Sequence, residues 1–142
     1  MKAKILGLLI IFPMMVLSQT LSEGETLIED MFESFGYTVF ANIRYNTESD
    51  CYNIVIEGMT VLPRHQSLWG FARGCCITTG LLTKEVGWKT QYLFIIYGDI
   101  AYGIETKVCR KAVEDGNDKV ADHLIRDNLK QIPPHILKMI RP

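Results

Sequence analysis

The stretch that decides the fold is QYLFIIYGDIAYGIETK, residues 91–107. Residues 92–97 form a nearly continuous apolar run, which is typical of a strand in the middle of a sheet. Gly98 and Asp99 are turn formers, and residues 101–105 return as a second strand. This stretch therefore predicts a β-hairpin, and Lys107 to Val113 follow it as a short helix for which Thr106 is the predicted cap.

A second hairpin is predicted closer to the N-terminus. Residues 37–45, YTVFANIRY, alternate in polarity, and one face carries Tyr37, Val39, Ala41, Ile43 and Tyr45. This alternation is typical of a half-buried strand. Residues 46–50, NTESD, are turn formers, and residues 51–59, CYNIVIEGM, read as the returning strand.

Amphipathic helices flank the two hairpins. Residues 22–35 have apolar side chains at helical spacing, a capping box formed by Ser22 and Glu25, and a terminating Gly36. A second helix is predicted from Gln66 to about Leu82, after a start at 62–63, and a final helix begins at a capping Asp118. The predicted order is α-ββ-α-ββ-α, a single α+β domain with an antiparallel sheet of about four strands and helices mainly on one face.

Two glycines stand out in the second helix. Gly70 and Gly74 are four residues apart and share one helical face. Glycine inside a helix costs about 1 kcal/mol relative to alanine. We therefore expect another element to approach this face closely.

The two ends of the chain differ from the predicted domain. Residues 1–18 combine Lys2 and Lys4, an apolar run and small residues at Val16 and Ser18, which is the pattern of a secretory signal peptide. The apolar run is shorter than the roughly 20 residues that span a bilayer. The domain is then expected over residues 19–132 and a C-terminal tail over 133–142. We expect an exported protein, periplasmic or secreted, with no membrane span after cleavage.

The charge balance argues against nucleic acid as a partner. The chain has 15 basic and 16 acidic side chains, and loss of Lys2 and Lys4 leaves 13 basic ones and a net charge of −3. Phosphate contacts supply most nucleic-acid affinity and require an excess of lysine and arginine. The sequence contains no basic patch of that kind.

Four cysteines, Cys51, Cys75, Cys76 and Cys109, leave their oxidation state open. The adjacent pair lies within a predicted helix, where consecutive side chains point about 100° apart. It also lacks the Cys-x-x-Cys spacing of redox motifs and the clustered ligands of zinc sites. Buried core thiols are the favoured interpretation, and a disulfide of one sulfur with Cys51 or Cys109 and a functional role are the alternatives.

Other possible sites are weaker. Asp99, Glu105 and Lys107 could suggest a nuclease-like cation site, but a strand of six residues would hold the two carboxylates about 20 Å apart. His65, His123 and His135 have no metal-ligand spacing, although His65 or His123 could meet Cys75 or Cys76 as a nucleophile pair. The sequence therefore assigns no catalytic, cofactor-binding or metal-binding residue.

Aromatic side chains on the strands allow either a binding surface or cross-strand packing, and packing is favoured. The interpretation that the sequence favours is a small exported binding protein. Its partner would be another envelope protein, a peptide or an apolar small molecule, without a cofactor. The alternatives are a small hydrolase with a site assembled from distant residues and a structural envelope protein. A groove without convergent titratable groups would favour binding over hydrolysis.

Overall fold

The computed structural model describes residues 21–59, 68–86 and 89–141. The signal sequence predicted over residues 1–18, His65 and the predicted helix start at 62–67 lie outside the described residues. The helices are α1 (Leu21–Glu33), α2 (Leu68–Val86), α3 (Thr106–Glu114), α4 (Asp118–Asn128) and α5 (Pro134–Ile140). The strands are β1 (Val39–Asn46), β2 (Cys51–Gly58), β3 (Thr90–Tyr97), β4 (Ile100–Glu105) and β5 (Lys130–Gln131). No helix within the described ranges is long and apolar enough to cross a membrane.

The five strands of these ranges form one open sheet in the order β1-β2-β3-β4-β5. Both predicted hairpins are present, β1 with β2 and β3 with β4. The prediction of a wholly antiparallel sheet of about four strands is wrong in detail, because β2 and β3 are parallel and β5 adds a fifth strand. The reason is the connection: a chain that leaves one strand, crosses over as a helix and returns to the neighbouring position must run in the same direction.

Four of the described helices pack on one face of the sheet. Their buried side chains join those of alternate strand residues in the main core, which includes Ile28, Phe32, Ile54, Ile56, Phe71, Cys75, Leu93, Ile95, Ile104, Cys109 and Ile125. The opposite face carries a smaller core, in which Leu137 of α5 packs against Val55, Ile96 and Ala101. Residues 133–142, expected as a tail, thus include a seven-residue helix that lies on the second face.

The outer edge of β1 is covered by α1. The backbone N–H of Ala41 donates to Glu29 Oε2 at 3.0 Å, and that of Ile43 donates to Glu25 Oε2 at 2.7 Å. Four helical residues rise about 6 Å and two strand residues about 6.8 Å, so the two spacings match along the edge. Glu25 therefore accepts a hydrogen bond from the edge of β1, and the capping box that its spacing from Ser22 predicts is wrong.

Two helix caps differ from their predictions. Asn117, one residue before the predicted Asp118, caps α4 by accepting from the N–H groups of Lys119 and Val120. Thr106 lies in the first turn of α3, and its hydroxyl accepts from Thr90 at 2.8 Å. At α4 the predicted cap chemistry is right and its position shifts by one, as is common at helix ends. At α3 the predicted Thr106 cap is wrong, because Glu105 takes the cap position and makes no side-chain cap hydrogen bond.

The close helix contact occurs at Gly80, and not at Gly74, one of the two glycines that the sequence singles out. A Cβ added at Gly80 would lie 2.6 Å from the carbonyl carbon of Cys109 and 3.2 Å from the backbone nitrogen of Arg110. A Cβ added at Gly74 would meet only the Phe32 ring, at 4.0 Å. Helices α2 and α3 therefore touch backbone to backbone at Gly80, whereas Gly74 borders free space.

Candidate functional site

The cysteines divide into one cross-link and two free thiols. A disulfide joins Cys76 of α2 to Cys109 of α3, with 5.1 Å between the Cα atoms. The favoured interpretation of Cys75 and Cys76 as buried core thiols is therefore wrong for Cys76, and the alternative of one disulfide to Cys109 is present. Cys75 is fully buried, and burial raises the pKa of its thiol well above the ordinary value, so it is a core side chain without nucleophilic character. Cys51 is free and partly exposed.

The acidic residues near the second hairpin do not form one site. Asp99 lies in the turn before β4, and Glu105 lies at the far end of that strand, opposite Tyr92. Glu105 instead forms an ion pair with Lys107, with 3.0 Å between Oε2 and Nζ. The described ranges contain no group of three or more His, Cys, Asp or Glu side chains that could hold a metal ion.

The possible thiol–imidazole pairs are not brought together among the described residues. His123 and His135 are exposed on α4 and α5. Cys75 is buried in the core, and Cys76 is committed to its disulfide. A nucleophilic cysteine requires an accessible thiol beside a base, and these positions do not supply one.

A groove lies between α1 and α2 on the helical side of the sheet and is called here the α1–α2 groove. Its volume is about 400 Å³. The residues that line it are Met31, Phe32, Phe35, Tyr37, Gly70, Phe71, Arg73, Gly74, Ile77, Thr78 and Leu81. Most of these side chains are aliphatic or aromatic, which is typical of sites for apolar ligands.

The groove owes its shape to glycine on one helix and aromatic rings around it. Gly70 and Gly74 carry no side chains on the α2 wall, so they leave the space between the helices unfilled. Phe32 and Phe71 pack together with 5.9 Å between ring centroids, and Tyr37 lies 6.0 Å from Phe71. The fold therefore supplies a rigid aromatic floor, since these rings are held by the main core.

The charge beside the groove is already neutralised. Arg73 hydrogen-bonds through Nε to Asp122 of α4, and its Nη2 lies 3.6 Å from Asp118. The other polar side chains of the lining are those of Tyr37 and Thr78. The arrangement thus contains no convergent acid and base, and an apolar guest would not strip water from an unpaired charge.

Some of the groove residues belong to predicted apolar helix faces but are not buried in the core. Phe35 belongs to the predicted apolar stripe of the first helix, yet its side chain is 70% exposed at the rim of the groove. Leu81, which lies within the second predicted helix, is likewise exposed. The signal that could have revealed the groove is the Gly70–Gly74 face itself, because a glycine face opposite aromatic residues permits either close packing or a cavity.

Tyrosine positions are mostly explained by packing. Tyr45 packs against Tyr52 with 5.2 Å between ring centroids, and Tyr97 packs against Phe71 at 5.8 Å. Tyr92 also packs, since it stacks on Phe94 at the partly covered face of the sheet, but its side chain remains exposed. The prediction that strand aromatics serve packing therefore holds at Tyr45 and Tyr97.

Comparison with known proteins adds no family to this description. The chain matches no protein-family model, no curated protein and no solved structure.

Proposed function

We propose that this protein is a small exported binding protein whose α1–α2 groove holds an apolar small molecule. The observation that carries the proposal is the groove itself, about 400 Å³ with an aromatic floor and a paired cation. Small-molecule sites have volumes of roughly 300–1,000 Å³ and are lined mainly by apolar and aromatic side chains. The groove has the size and the lining of that class.

Binding is favoured over hydrolysis by the chemistry of the lining. A hydrolase needs a nucleophile and a base within hydrogen-bond reach of each other. The polar side chains that line the groove are Tyr37, Arg73 and Thr78, and they include no carboxylate and no imidazole. This inventory supports retention of a ligand and supplies no means of cleaving one.

Export is supported by two independent features. Residues 1–18 have the pattern of a signal peptide. The Cys76–Cys109 disulfide belongs to an oxidising compartment, since thiols are kept reduced in the cytosol. Mass spectrometry of the protein from its native host should find an N-terminus near Gln19, and a soluble cytoplasmic form with Met1 intact would contradict export.

The groove can be tested with a fluorescent apolar probe, N-phenyl-1-naphthylamine, and competing linear alkanols. Burial of one methylene stabilises a complex by about 0.8 kcal/mol, so each added methylene should improve competition about fourfold until the groove is full. Gly74→Leu places a side chain in the groove and should weaken probe binding by at least about tenfold. Lys111→Leu, on the exposed side of α3, adds the same side chain elsewhere and should leave binding unchanged.

Two results would overturn the proposal. One is equal affinity of the probe for the wild type and for a folded Gly74→Leu variant, with circular dichroism as the check of folding. The other is equal loss of binding in Gly74→Leu and Lys111→Leu, which would indicate a general response to added surface leucine and not a site at the groove.

A further inference from the structure

The second face of the sheet carries a separate cleft, called here the open-face cleft. Its volume is about 330 Å³, and its lining includes Arg44, Glu48, Asn53, Val55, Phe94 and Met139. The α1–α2 groove lies on the other side of the sheet and shares none of these residues. The chemistry also differs, because the open-face cleft combines a cation and an amide with aromatic and aliphatic side chains.

Strand register explains why these groups converge. Arg44 of β1 lies opposite Asn53 of β2, and Val55 of β2 lies opposite Phe94 of β3. Residues two apart on a strand share a face, so Asn53 and Val55 point to the same side. A cation, an amide and an aromatic ring therefore occupy one face of three neighbouring strands.

Both polar groups are held so that they offer hydrogen-bond donors. Asn42 Oδ1 accepts from Arg44 Nε at 2.7 Å. This bond orients the guanidinium and leaves its two terminal nitrogens as donors for a ligand. Asn53 Oδ1 accepts from the backbone N–H of Tyr92 at 3.2 Å. Since a backbone N–H can only donate, this bond occupies the amide oxygen of Asn53, and the two N–H groups on Nδ2 stay available as donors for a ligand.

The Arg44 charge has no carboxylate partner within 4.0 Å among the described residues, in contrast to Arg73 and Arg141, which form ion pairs. A guanidinium matches the geometry of a carboxylate through two parallel N–H donors. An adjacent amide donor adds a third. The polar part of the cleft is thus complementary to a negatively charged group with several acceptor oxygens.

The apolar part of the cleft suits a flat ring. Phe94 and Tyr92 stack with 6.0 Å between ring centroids and an interplanar angle of 29°, which forms a continuous aromatic platform. Tyr92 is 37% exposed and Met139 is 76% exposed. Offset stacking on such a platform favours aromatic ligands over aliphatic ones.

We propose that the open-face cleft binds a small aromatic carboxylate. The carboxylate pairs with the Arg44 guanidinium and the Asn53 amide donors, and the aromatic ring stacks on Phe94. Glu48 lines the same cleft and repels such a ligand, so it weakens binding. Because salt screens this repulsion as well as the attraction to Arg44, Glu48 also reduces the salt dependence of binding. The site is independent of the apolar ligand proposed for the α1–α2 groove.

The probe for this proposal is 2-naphthoate, titrated at low ionic strength by calorimetry, with 2-naphthalenemethanol as the uncharged analogue. Arg44→Gln should weaken naphthoate binding by at least about tenfold, since hydrogen bonds to charged groups are worth roughly 1.5–3 kcal/mol. Glu48→Gln should tighten it roughly two- to fivefold, as expected for removal of one exposed like charge. Lys111→Gln removes a charge elsewhere and should have no effect, and the alcohol should bind weakly to every variant.

Arg44→Lys retains the positive charge but loses the two parallel N–H donors of the guanidinium, so it should bind naphthoate with intermediate affinity. An intermediate value would show that the loss in Arg44→Gln is not caused by a folding defect. Gly74→Leu should leave naphthoate binding unchanged, and Arg44→Gln should leave N-phenyl-1-naphthylamine binding unchanged, so that the two sites fail or survive separately. The proposal is overturned by unchanged naphthoate affinity in folded Arg44→Gln, by equal binding of the alcohol and the carboxylate, or by loss of naphthoate binding in Gly74→Leu.

Discussion

The contact between α2 and α3 at Gly80 gives the sharpest test of the packing. A methyl group at this position would lie 2.6 Å from the carbonyl carbon of Cys109 and nearer still to its oxygen. Carbon atoms pack at about 3.5–4.0 Å. In Gly80→Ala the two helices would therefore have to separate by roughly 1 Å, and the obstacle is backbone, which cannot rotate away.

The magnitude follows from two opposing effects. Alanine gains about 1 kcal/mol over glycine in the interior of a helix. Overpacking of a well-filled interior costs about 1–3 kcal/mol, and a clash with backbone belongs at the upper end. The disulfide of Cys76, one helical turn from Gly80, ties α2 to α3 and limits relaxation. We expect a net loss of about 2 kcal/mol in the free energy of unfolding.

Gly74→Ala is the matched control in the same helix. Its new Cβ meets Phe32 only at 4.0 Å, an ordinary contact, so the helix propensity acts alone and should stabilise by about 1 kcal/mol. For a chain of this size each kcal/mol moves Tm by about 4 °C. Thermal and urea unfolding of the oxidised protein should therefore show Tm lower by about 8 °C in Gly80→Ala and higher by about 4 °C in Gly74→Ala. A neutral or stabilising Gly80→Ala would refute the close approach of the helices.

Two further predictions concern the cross-link and the sheet edge. In unfolded, unreduced protein only two of the four cysteines should react with iodoacetamide, and in folded protein Cys75 should not react. Cys76→Ser should lower the free energy of unfolding by about 4 kcal/mol, as expected for a disulfide across 33 residues. Labelling of four thiols without reductant would contradict the cross-link. Glu25→Ala should cost about 1–3 kcal/mol because the edge N–H of Ile43 loses its acceptor, whereas Glu33→Ala, at an exposed position, should be neutral in urea unfolding; equal effects would show that the edge contact contributes nothing.

Local periodicity accounts for the elements that the sequence predicts correctly. The alternation in residues 37–45 reflects burial of one strand face, and Val39, Ala41 and Ile43 are indeed buried. The turn chemistry of Gly98 likewise marks the second hairpin, where Gly98 has a φ of +61°. These signals depend on neighbouring residues only, so they can be recognised in the sequence without knowledge of the tertiary structure.

Pairing between distant segments cannot be predicted from local sequence patterns in the same way. The parallel register of Val55 with Phe94 depends on where the crossover helix returns the chain. The partner of Gly80 is a carbonyl group 29 residues away in sequence, and any of the glycines in α2 could have met it. The open-face cleft is hidden for the same reason, since Arg44 and Phe94 are brought together only through β2.

The two proposed sites follow from how unevenly the sheet is covered. The main face is occupied by four described helices, so a ligand can enter there only where a helix lacks side chains, as α2 does at Gly70 and Gly74. The second face is covered in part by α5, a helix of seven residues, whose Leu137 buries Val55 and Ile96 but leaves Tyr92 exposed. Polar strand residues on that face therefore remain accessible beside aromatic ones. An apolar guest is therefore proposed for the first opening, where the rings lie beside an arginine paired with Asp122. A charged aromatic guest is proposed for the second, where the rings lie beside Arg44, which has no carboxylate partner among the described residues.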